Sequence, residues 1–139
     1  MFACTFFGHG NTPDSLFPIL KENIENLLIH HKVTVFYVGT HGNFDNMAYR
    51  AVKELQVEYP EIRVYRVLAY MPKKEVPDSL FPEGVELVHP KYAISWRNKW
   101  MLDHSVYVVA YVVRNYGGAA KYVKQAKRKC KTVINLYSL

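Results

Sequence analysis

Three short turns in the sequence combine glycine with polar residues in a way that suits anion binding. They are GHGN (8–11), GTHGN (39–43) and NYGG (115–118), and each follows an apolar stretch and precedes a helical pattern. Glycine lets backbone amides approach a ligand closely, and a helix N-terminus adds a partial positive charge. A single turn of this kind is common for steric reasons alone. Three of them at one sheet edge make a phosphate-binding site at least as good an interpretation as plain turn chemistry.

The sequence lacks the motifs of several enzyme classes. None of the turns reads G-x-G-x-x-G with an acidic residue at the distance that holds a ribose, which argues against a dinucleotide dehydrogenase. The patterns G-x-x-x-x-G-K-[ST] and G-x-S-x-G do not occur, which argues against a P-loop NTPase and a nucleophile-elbow hydrolase. The six histidines show no helix pair and no cysteine partners, so we predict neither a metal site nor a cofactor.

Two charged residues near these turns have two interpretations each. Arg97 lies between Trp96 and Trp100 on a helical pattern, where it either stacks on the tryptophans or reaches a phosphate with its guanidinium fork. Asp45 follows the second turn, where it either stabilises its own helix N-terminus or contacts a sugar. The residues alone leave both pairs of interpretations open.

The apolar pattern predicts about five strands separated by helices. Continuous apolar runs at 2–7, 33–38, 62–70, 106–113 and 132–136 are typical of buried parallel strands. Helical patterns follow the first two strands, with Ser15 as the expected cap of the first helix, and also cover 90–103 and the segment after Gly118. This alternation predicts one α/β domain over residues 1–139, a Rossmann-like three-layer sandwich with a mostly parallel sheet and helices on both faces. The three turns then share the carboxyl edge of the sheet, where such folds bind ligands.

The composition is typical of a globular chain, and the positive net charge favours anionic partners. Half of the 139 residues are hydrophobic, 22% are charged, and the formal net charge is +6. Much of the positive charge lies on the last helix, where a solvated face and a nucleic-acid surface are both open interpretations. No apolar run reaches the ~18 residues of a membrane span, and no signal-peptide pattern is present, so we expect a cytoplasmic protein without a membrane partner. We also expect Cys4 and Cys130 to be buried thiols.

The ordered set of motifs resembles the SLOG superfamily of Rossmann-like domains. This superfamily includes the Lonely Guy phosphoribohydrolases, the DprA core and the small bacterial YpsA/YoqJ-like proteins, and the last branch is the most similar. The segments that carry the resemblance span nearly the whole chain: FFGHGNTPDSLFPIL, FYVGTHGNFDNMAYRAVKEL, VLAYMP, YAISWRNKWMLDHS and YGGAAKYVKQAKRK.

The resemblance implies a pocket for a nucleotide or a nucleotide-derived ligand. Gly8 and His9 would line its floor. The residues of the second turn and the helix after it would contact the sugar or the phosphate, namely Gly39, Thr40, Gly42 and Asp45. Arg97 and Asn98 match the R-x-x-x-M segment that phosphoribohydrolases place beside the scissile bond. Gly117 and Gly118 match the start of their P-G-G-x-G-T-x-x-E motif.

One departure from that motif separates binding from hydrolysis. The position of the catalytic glutamate is Lys124 here, and a lysine has the wrong charge to stabilise a cationic glycosidic transition state. We therefore expect non-catalytic binding or sensing of a nucleotide-like small molecule. One alternative is a nucleoside-monophosphate N-glycosidase in which Asp45 replaces the missing acid. A second is DprA-like binding of single-stranded nucleic acid through the lysine-rich face of the last helix.

The aromatic residues on outer positions leave the oligomeric state open. Trp96, Trp100 and Tyr107 would suit the contact face of a homo-oligomer, and core packing explains them equally well.

Overall fold

A six-stranded sheet, in which every neighbouring pair of strands is parallel, forms the centre of the molecule. The computed structural model describes residues 2–138 of the chain. The strands in chain order are β1 (Phe2–Gly8), β2 (Val33–Val38), β3 (Arg63–Val67), β4 (Ser79–Leu80), β5 (Tyr107–Tyr111) and β6 (Thr132–Asn135). Their order across the sheet is β4-β3-β2-β1-β5-β6.

Four α-helices cover the two faces of this sheet. They are α1 (Phe17–His31), α2 (Asn43–Glu58), α3 (Ala93–Asp103) and α4 (Gly118–Arg128). Because strand side chains alternate, Phe6 packs in the core formed with α1 and α2, whereas Phe7 packs against Met101 of α3 and Tyr122 of α4. The predicted Rossmann-like α/β sandwich is therefore confirmed.

The structure corrects the sequence-based prediction at three places. The sixth strand, β4, has only two residues and pairs with Arg66 and Val67, so it is too short to produce an apolar run. Ser15 does not cap α1, because it lies inside a 3-10 turn that precedes the helix. Cys4 is buried, but Cys130 is exposed, since the chain turns left-handed there (φ 59°) after α4 has ended.

The chain reverses its direction across the sheet next to β1. From β1 the chain builds β2, β3 and β4 on one side, and it then crosses to add β5 and β6 on the other side. The segments that follow β1 and β5 therefore diverge, and a crevice opens between them at the carboxyl edge. This is the place where open α/β sheets bind their ligands.

The first two turns are held together by hydrogen bonds of the Asn43 side chain and by the close approach of Gly42 to Gly10. The Asn43 side chain at the start of α2 donates to the carbonyl oxygen of Thr12 (2.6 Å) and to a carboxylate oxygen of Asp14 (2.8 Å). Gly42 has φ +91°, and a Cβ on it would lie 2.8 Å from Cα of Gly10. Gly42 is thus needed for the turns after β1 and β2 to meet, whereas a Cβ on Gly10 would lie 3.9 Å from Cα of Gly42, an ordinary contact.

We expect Gly8→Ala to destabilise the fold. A Cβ at Gly8 would lie 2.3 Å from Cγ of Phe44, whose ring is buried in the core and cannot move aside. Overpacking of this kind costs about 1–3 kcal/mol, measurable as the free energy of unfolding in urea. Gly118→Ala is the matched control, because no atom lies within 4 Å of a Cβ there. Equal stability of the two variants would contradict the close contact between β1 and α2.

Candidate functional site

Two adjoining cavities occupy the carboxyl edge of the sheet. The smaller one, the central cleft, has a volume of about 130 Å³ and lies between the end of β1, the start of α4 and one face of α3. Its lining includes Gly8, Asp45, Arg97, Asn98 and Gly118. The structure thus brings five of the predicted site residues around one cavity.

The larger cavity, the outer cavity, has a volume of about 320 Å³ and lies beside the ends of β2 and β3. Its walls come from the second turn, from α2 and from the segment after β3, and include Gly39, Thr40, Tyr49, Arg66 and Tyr70. His41 and Asp45 line both cavities, so the two share a wall.

Arg97 is the most buried charged residue of the site, with 2% of its surface exposed. Its Nη1 donates to the carbonyl oxygen of Val67 (2.9 Å) and to Oγ1 of Thr40 (3.2 Å). Its Nε donates to Oδ1 of Asn98 (2.8 Å), and Nη2 lies 3.4 Å from Nδ1 of His41. The guanidinium group of α3 therefore binds directly to the carboxyl ends of β2 and β3.

None of these four acceptors carries a negative charge. The His41 ring is also neutral near pH 7, because burial and, to a smaller extent, the charge of Arg97 lower its pKa. Among residues 2–138, no carboxylate oxygen lies within 4.0 Å of the Arg97 guanidinium. Burial lowers the pKa of Arg97, and Asp45 acts in the opposite direction. The central cleft thus contains a buried positive charge without an ion-pair partner in the described part of the chain.

Asp45 provides the carboxyl group of the site. Its Oδ2 accepts a hydrogen bond from the backbone N–H of His41 (3.2 Å), and a Cβ on Gly39 would lie only 2.6 Å from the same oxygen. Burial raises the pKa of Asp45 from 3.8 to about 7, against the opposing effects of the His41 N–H and of Arg97. Near pH 7 about half of Asp45 is therefore protonated, so this carboxyl group compensates the charge of Arg97 only in part.

The N-terminus of α4 forms the opposite side of the central cleft. Gly117 is its N-cap residue with φ +94°, a conformation open essentially to glycine alone, and no side chain caps the helix. The first turn contains no acidic residue, and Gly118 is exposed. The first-turn amides and the positive end of the helix dipole therefore face this side without a competing carboxylate.

Three predicted site residues line neither cavity. His9 is buried between the loops after β1 and β5, where its Nε2 accepts from the backbone N–H of Val113 (3.1 Å). Gly42 packs on Gly10, and Gly117 lies beside the Arg114 side chain. The remaining two predicted residues, Gly39 and Thr40, line the outer cavity but not the central cleft.

Sequence reasoning missed several residues that line the two cavities. Tyr122 and Met101 belong to the central cleft, and Tyr49, Arg66 and Tyr70 belong to the outer cavity. A signal existed for Arg66, because a charged residue at the carboxyl end of an apolar strand lies at the edge where ligands bind. The tyrosines gave none, since aromatic residues in helices, such as Tyr49 and Tyr122, or at the end of an apolar run, such as Tyr70, usually form part of the core.

Lys124, at the position of the missing glutamate, lies outside the central cleft. Its Nζ donates to the carbonyl oxygen of Asn115 (3.1 Å), and the side chain lines a separate basic groove along α4. Asp45 is the carboxyl group that lines the cleft itself. In residues 2–138, no cluster of three metal-ligating side chains and no helix able to cross a membrane is present.

These features define a Rossmann-like α/β domain with a crevice where the chain changes direction across the sheet. The chain is similar in structure to DNA processing protein A (DprA) from Streptococcus pneumoniae, with a TM-score of 0.69 and 13% sequence identity. The similarity covers 96% of this chain and 49% of DprA, so this chain spans about half the length of that protein. No family model matches the chain, and no curated protein matches it in sequence.

The similarity to DprA shows the fold and does not define the ligand. At 13% identity the likeness shows the shared Rossmann-like fold, and membership of the SLOG superfamily stays a prediction. The YpsA/YoqJ-like branch stays a prediction, as do the ligand-binding roles of the site residues.

We expect Asp45→Asn to stabilise the protein at alkaline pH. Between pH 3.8 and about 7 the folded protein retains a proton on Asp45 that the unfolded chain loses, so the stability contribution of this group falls as the pH rises. An amide cannot ionise and still accepts from His41. The variant should gain on the order of a few kcal/mol at pH 8 and almost nothing below about pH 4.

Urea unfolding of both proteins between pH 4 and pH 9 measures this difference. Asp14→Asn is the control, since Asp14 is an exposed carboxylate in the 3-10 turn before α1 and an amide oxygen there can still accept from the Asn43 side chain. A constant difference in the free energy of unfolding between wild type and Asp45→Asn across the pH range would contradict a raised pKa of Asp45.

Proposed function

We propose that this chain binds a nucleotide or a nucleotide-derived phosphate–sugar compound at the carboxyl edge of the sheet, without breaking a bond in it. The observation that carries the proposal is the buried guanidinium of Arg97, which is held in the central cleft by neutral acceptors only. Burying a charge without a partner is costly. An anionic ligand in the cleft would supply the missing negative charge.

The opposite side of the cleft supports the same ligand chemistry. The uncapped N-terminus of α4 offers backbone amides, and the helix dipole adds partial positive charge. A phosphate between Arg97 and Gly118 would meet positive charge on both sides. Burial raises the pKa of Asp45 to about 7, so a phosphate would be repelled less by this group than by an ordinary carboxylate.

The sizes of the two cavities support a ligand larger than a phosphate ion. The central cleft, at about 130 Å³, is too small for a whole nucleotide, whereas the outer cavity of about 320 Å³ reaches the lower limit of typical ligand pockets. Tyr49 and Tyr70 line the outer cavity and suit the flat surface of a base or a sugar. In our proposal the phosphate occupies the cleft and the rest of the ligand extends past His41.

The lining of the cleft favours binding over hydrolysis, since it contains no glutamate and its one carboxyl group is that of Asp45, while position 124 is a lysine in a separate groove. Asp45 remains the group that an N-glycosidase would use, because its carboxyl group lines both cavities and titrates near neutral pH. Release of free base from nucleoside monophosphates, abolished in Asp45→Asn, would replace our proposal by that enzyme activity.

We expect wild-type protein to bind nucleotides and Gly118→Asp to lose this binding. Titration calorimetry against adenosine, guanosine, cytidine and uridine 5′-monophosphates is the measurement. A carboxylate at the first position of α4 suits the helix dipole, so the fold should keep its stability while the phosphate is repelled. The affinity should fall by roughly tenfold or more.

Gly118→Asn is the matched control, because it has the same shape without the charge. Its affinity for the nucleotides should exceed that of Gly118→Asp by most of the roughly tenfold loss. Binding that is equal in both variants would place the phosphate elsewhere. Absence of binding of any of the four nucleotides to wild type at millimolar concentration would remove the proposal.

The basic groove along α4 supports a second candidate function, the binding of single-stranded nucleic acid. Its volume is about 320 Å³, and its lining includes Tyr116, Lys121, Lys124 and Arg128. Tyr116 is 68% exposed, with the guanidinium of Arg114 at 4.9 Å from its ring centroid. Basic side chains beside an exposed aromatic ring suit a nucleic-acid strand. The structural similarity to a DNA processing protein agrees with this candidate.

If the groove binds nucleic acid, the double variant Lys121→Glu, Lys124→Glu should weaken binding of a single-stranded DNA oligomer by about tenfold or more in 50 mM salt. It should also lower the slope of log affinity against log salt concentration. Lys73→Glu, Lys74→Glu is the control with the same change in net charge on an exposed loop away from α4. Fluorescence anisotropy at several salt concentrations measures both effects. Equal losses in the two double variants, or no binding by wild type, would reject the groove as a binding surface.

A further inference from the structure

We infer that the ligand carries two phosphate groups held apart by its nucleoside, one bound at Arg97 and the other at Arg66. This inference rests on the proposed function and specifies the class of nucleotide. The observation behind it is a second guanidinium group, in the outer cavity, that forms no ion pair within 4.0 Å among the described residues, although its charge contributes to the lowered pKa of Asp78.

Arg66 lies near the carboxyl end of β3, and its side chain extends over the α2 face of the sheet. Its guanidinium carbon lies 3.6 Å from the ring centroid of Tyr49 on α2, so one flat side of the group is stacked. This stacking limits the motion of the guanidinium group and leaves the N–H donors at its edges uncovered. Arg66 and Tyr49 both line the outer cavity.

Asp78 is the nearby carboxylate that other groups already engage. Tyr49 donates its hydroxyl hydrogen to Oδ2 of Asp78 (2.7 Å), and Nζ of Lys53 lies 3.3 Å from the same oxygen. Within residues 2–138, the Arg66 guanidinium has neither a carboxylate oxygen within 4.0 Å nor a hydrogen-bond acceptor. Its donors are therefore available to a ligand in the cavity.

The two arginines lie on opposite sides of the same strand end. Arg97 reaches from α3 to the carbonyl oxygen of Val67, the residue that follows Arg66. Arg66 faces α2, whereas Arg97 approaches from the face covered by α3 and α4. Each guanidinium lines one of the two cavities that share His41 and Asp45. A ligand that extends past His41 and Asp45 into both cavities would meet a guanidinium group at each end.

The surroundings of Arg66 favour a phosphate attached to a nucleoside over a free ion. The outer cavity contains Leu68, Ala69, Pro72 and Val76 beside its tyrosines, so apolar ligand surface would be covered there. A guanidinium at the margin of such a cavity binds a phosphate in a forked geometry. The ligand chemistry that fits is a nucleoside with separated phosphates, such as a nucleoside 3′,5′-bisphosphate.

Calorimetry with matched ligands and matched variants tests this inference. The probes are adenosine and guanosine 3′,5′-bisphosphates, each compared with its 5′-monophosphate. In wild type the better bisphosphate should bind about tenfold or more tightly than its monophosphate. Arg66→Gln should abolish this advantage, because it removes the second phosphate contact, and it should lower bisphosphate affinity by a larger factor than monophosphate affinity, because the first phosphate lies at Arg97.

Arg63→Gln is the matched control on the same strand. Arg63 is exposed, donates to the carbonyl oxygens of Pro60 and Ile62, and lines neither cavity. It should keep the bisphosphate advantage despite the same loss of one positive charge. Thermal unfolding of both variants checks that they are folded.

The outcomes separate this inference from the proposed function. If wild type binds monophosphates and bisphosphates equally, or if Arg66→Gln keeps the advantage, the inference is wrong and the proposed function stands. If Arg63→Gln loses the advantage as fully as Arg66→Gln, the effect is one of net charge and the inference is also wrong. If wild type binds neither these bisphosphates nor any of the adenosine, guanosine, cytidine and uridine 5′-monophosphates, both fail together.

Discussion

The site depends on one buried guanidinium group that joins α3 to the carboxyl ends of β2 and β3. Arg97 satisfies the carbonyl oxygen of Val67 and the hydroxyl of Thr40, and it thereby fixes the position of α3 over the sheet edge. Its charge also lowers the pKa of the neighbouring imidazole of His41, after the larger effect of burial. Removing this residue would leave a strand carbonyl and a helix without their mutual contact.

Glycines at the strand ends and helix N-caps are the second requirement of this site. A Cβ on Gly39 would clash with the Asp45 carboxyl group and contact the Arg97 guanidinium, and a Cβ on Gly8 would clash with the Phe44 ring. The N-caps of α2 and α4 are glycines with φ of +91° and +94°, which bring each helix out of its turn without a capping side chain. The glycines therefore serve close approach at the strand ends and helix entry at the caps, two different physical requirements.

The sequence predicted five of the six strands, because parallel strands buried on both faces produce continuous apolar runs. The second strand was predicted at 33–38 and is found there, whereas β4 was missed since two residues carry no periodicity. The turns could be predicted to meet at one edge, but the partners of Arg97 could not. They come from Thr40 and Val67, far apart along the chain, and only packing selects between stacking on tryptophan and binding the strand ends.

Strand parity decides which charged groups a ligand can meet at this edge. Side chains of β3 alternate between the two faces, so Arg66 lies with Tyr49 on the α2 side while Val67 packs in the core beneath α3 and α4. A shift of one residue in β3 would move the guanidinium to the other face, toward the cavity that already contains Arg97. The fold shared with DprA does not fix this choice, because it specifies where strands end and not which residue ends them. The chemistry of the two cavities is thus a property of this sequence rather than of the architecture.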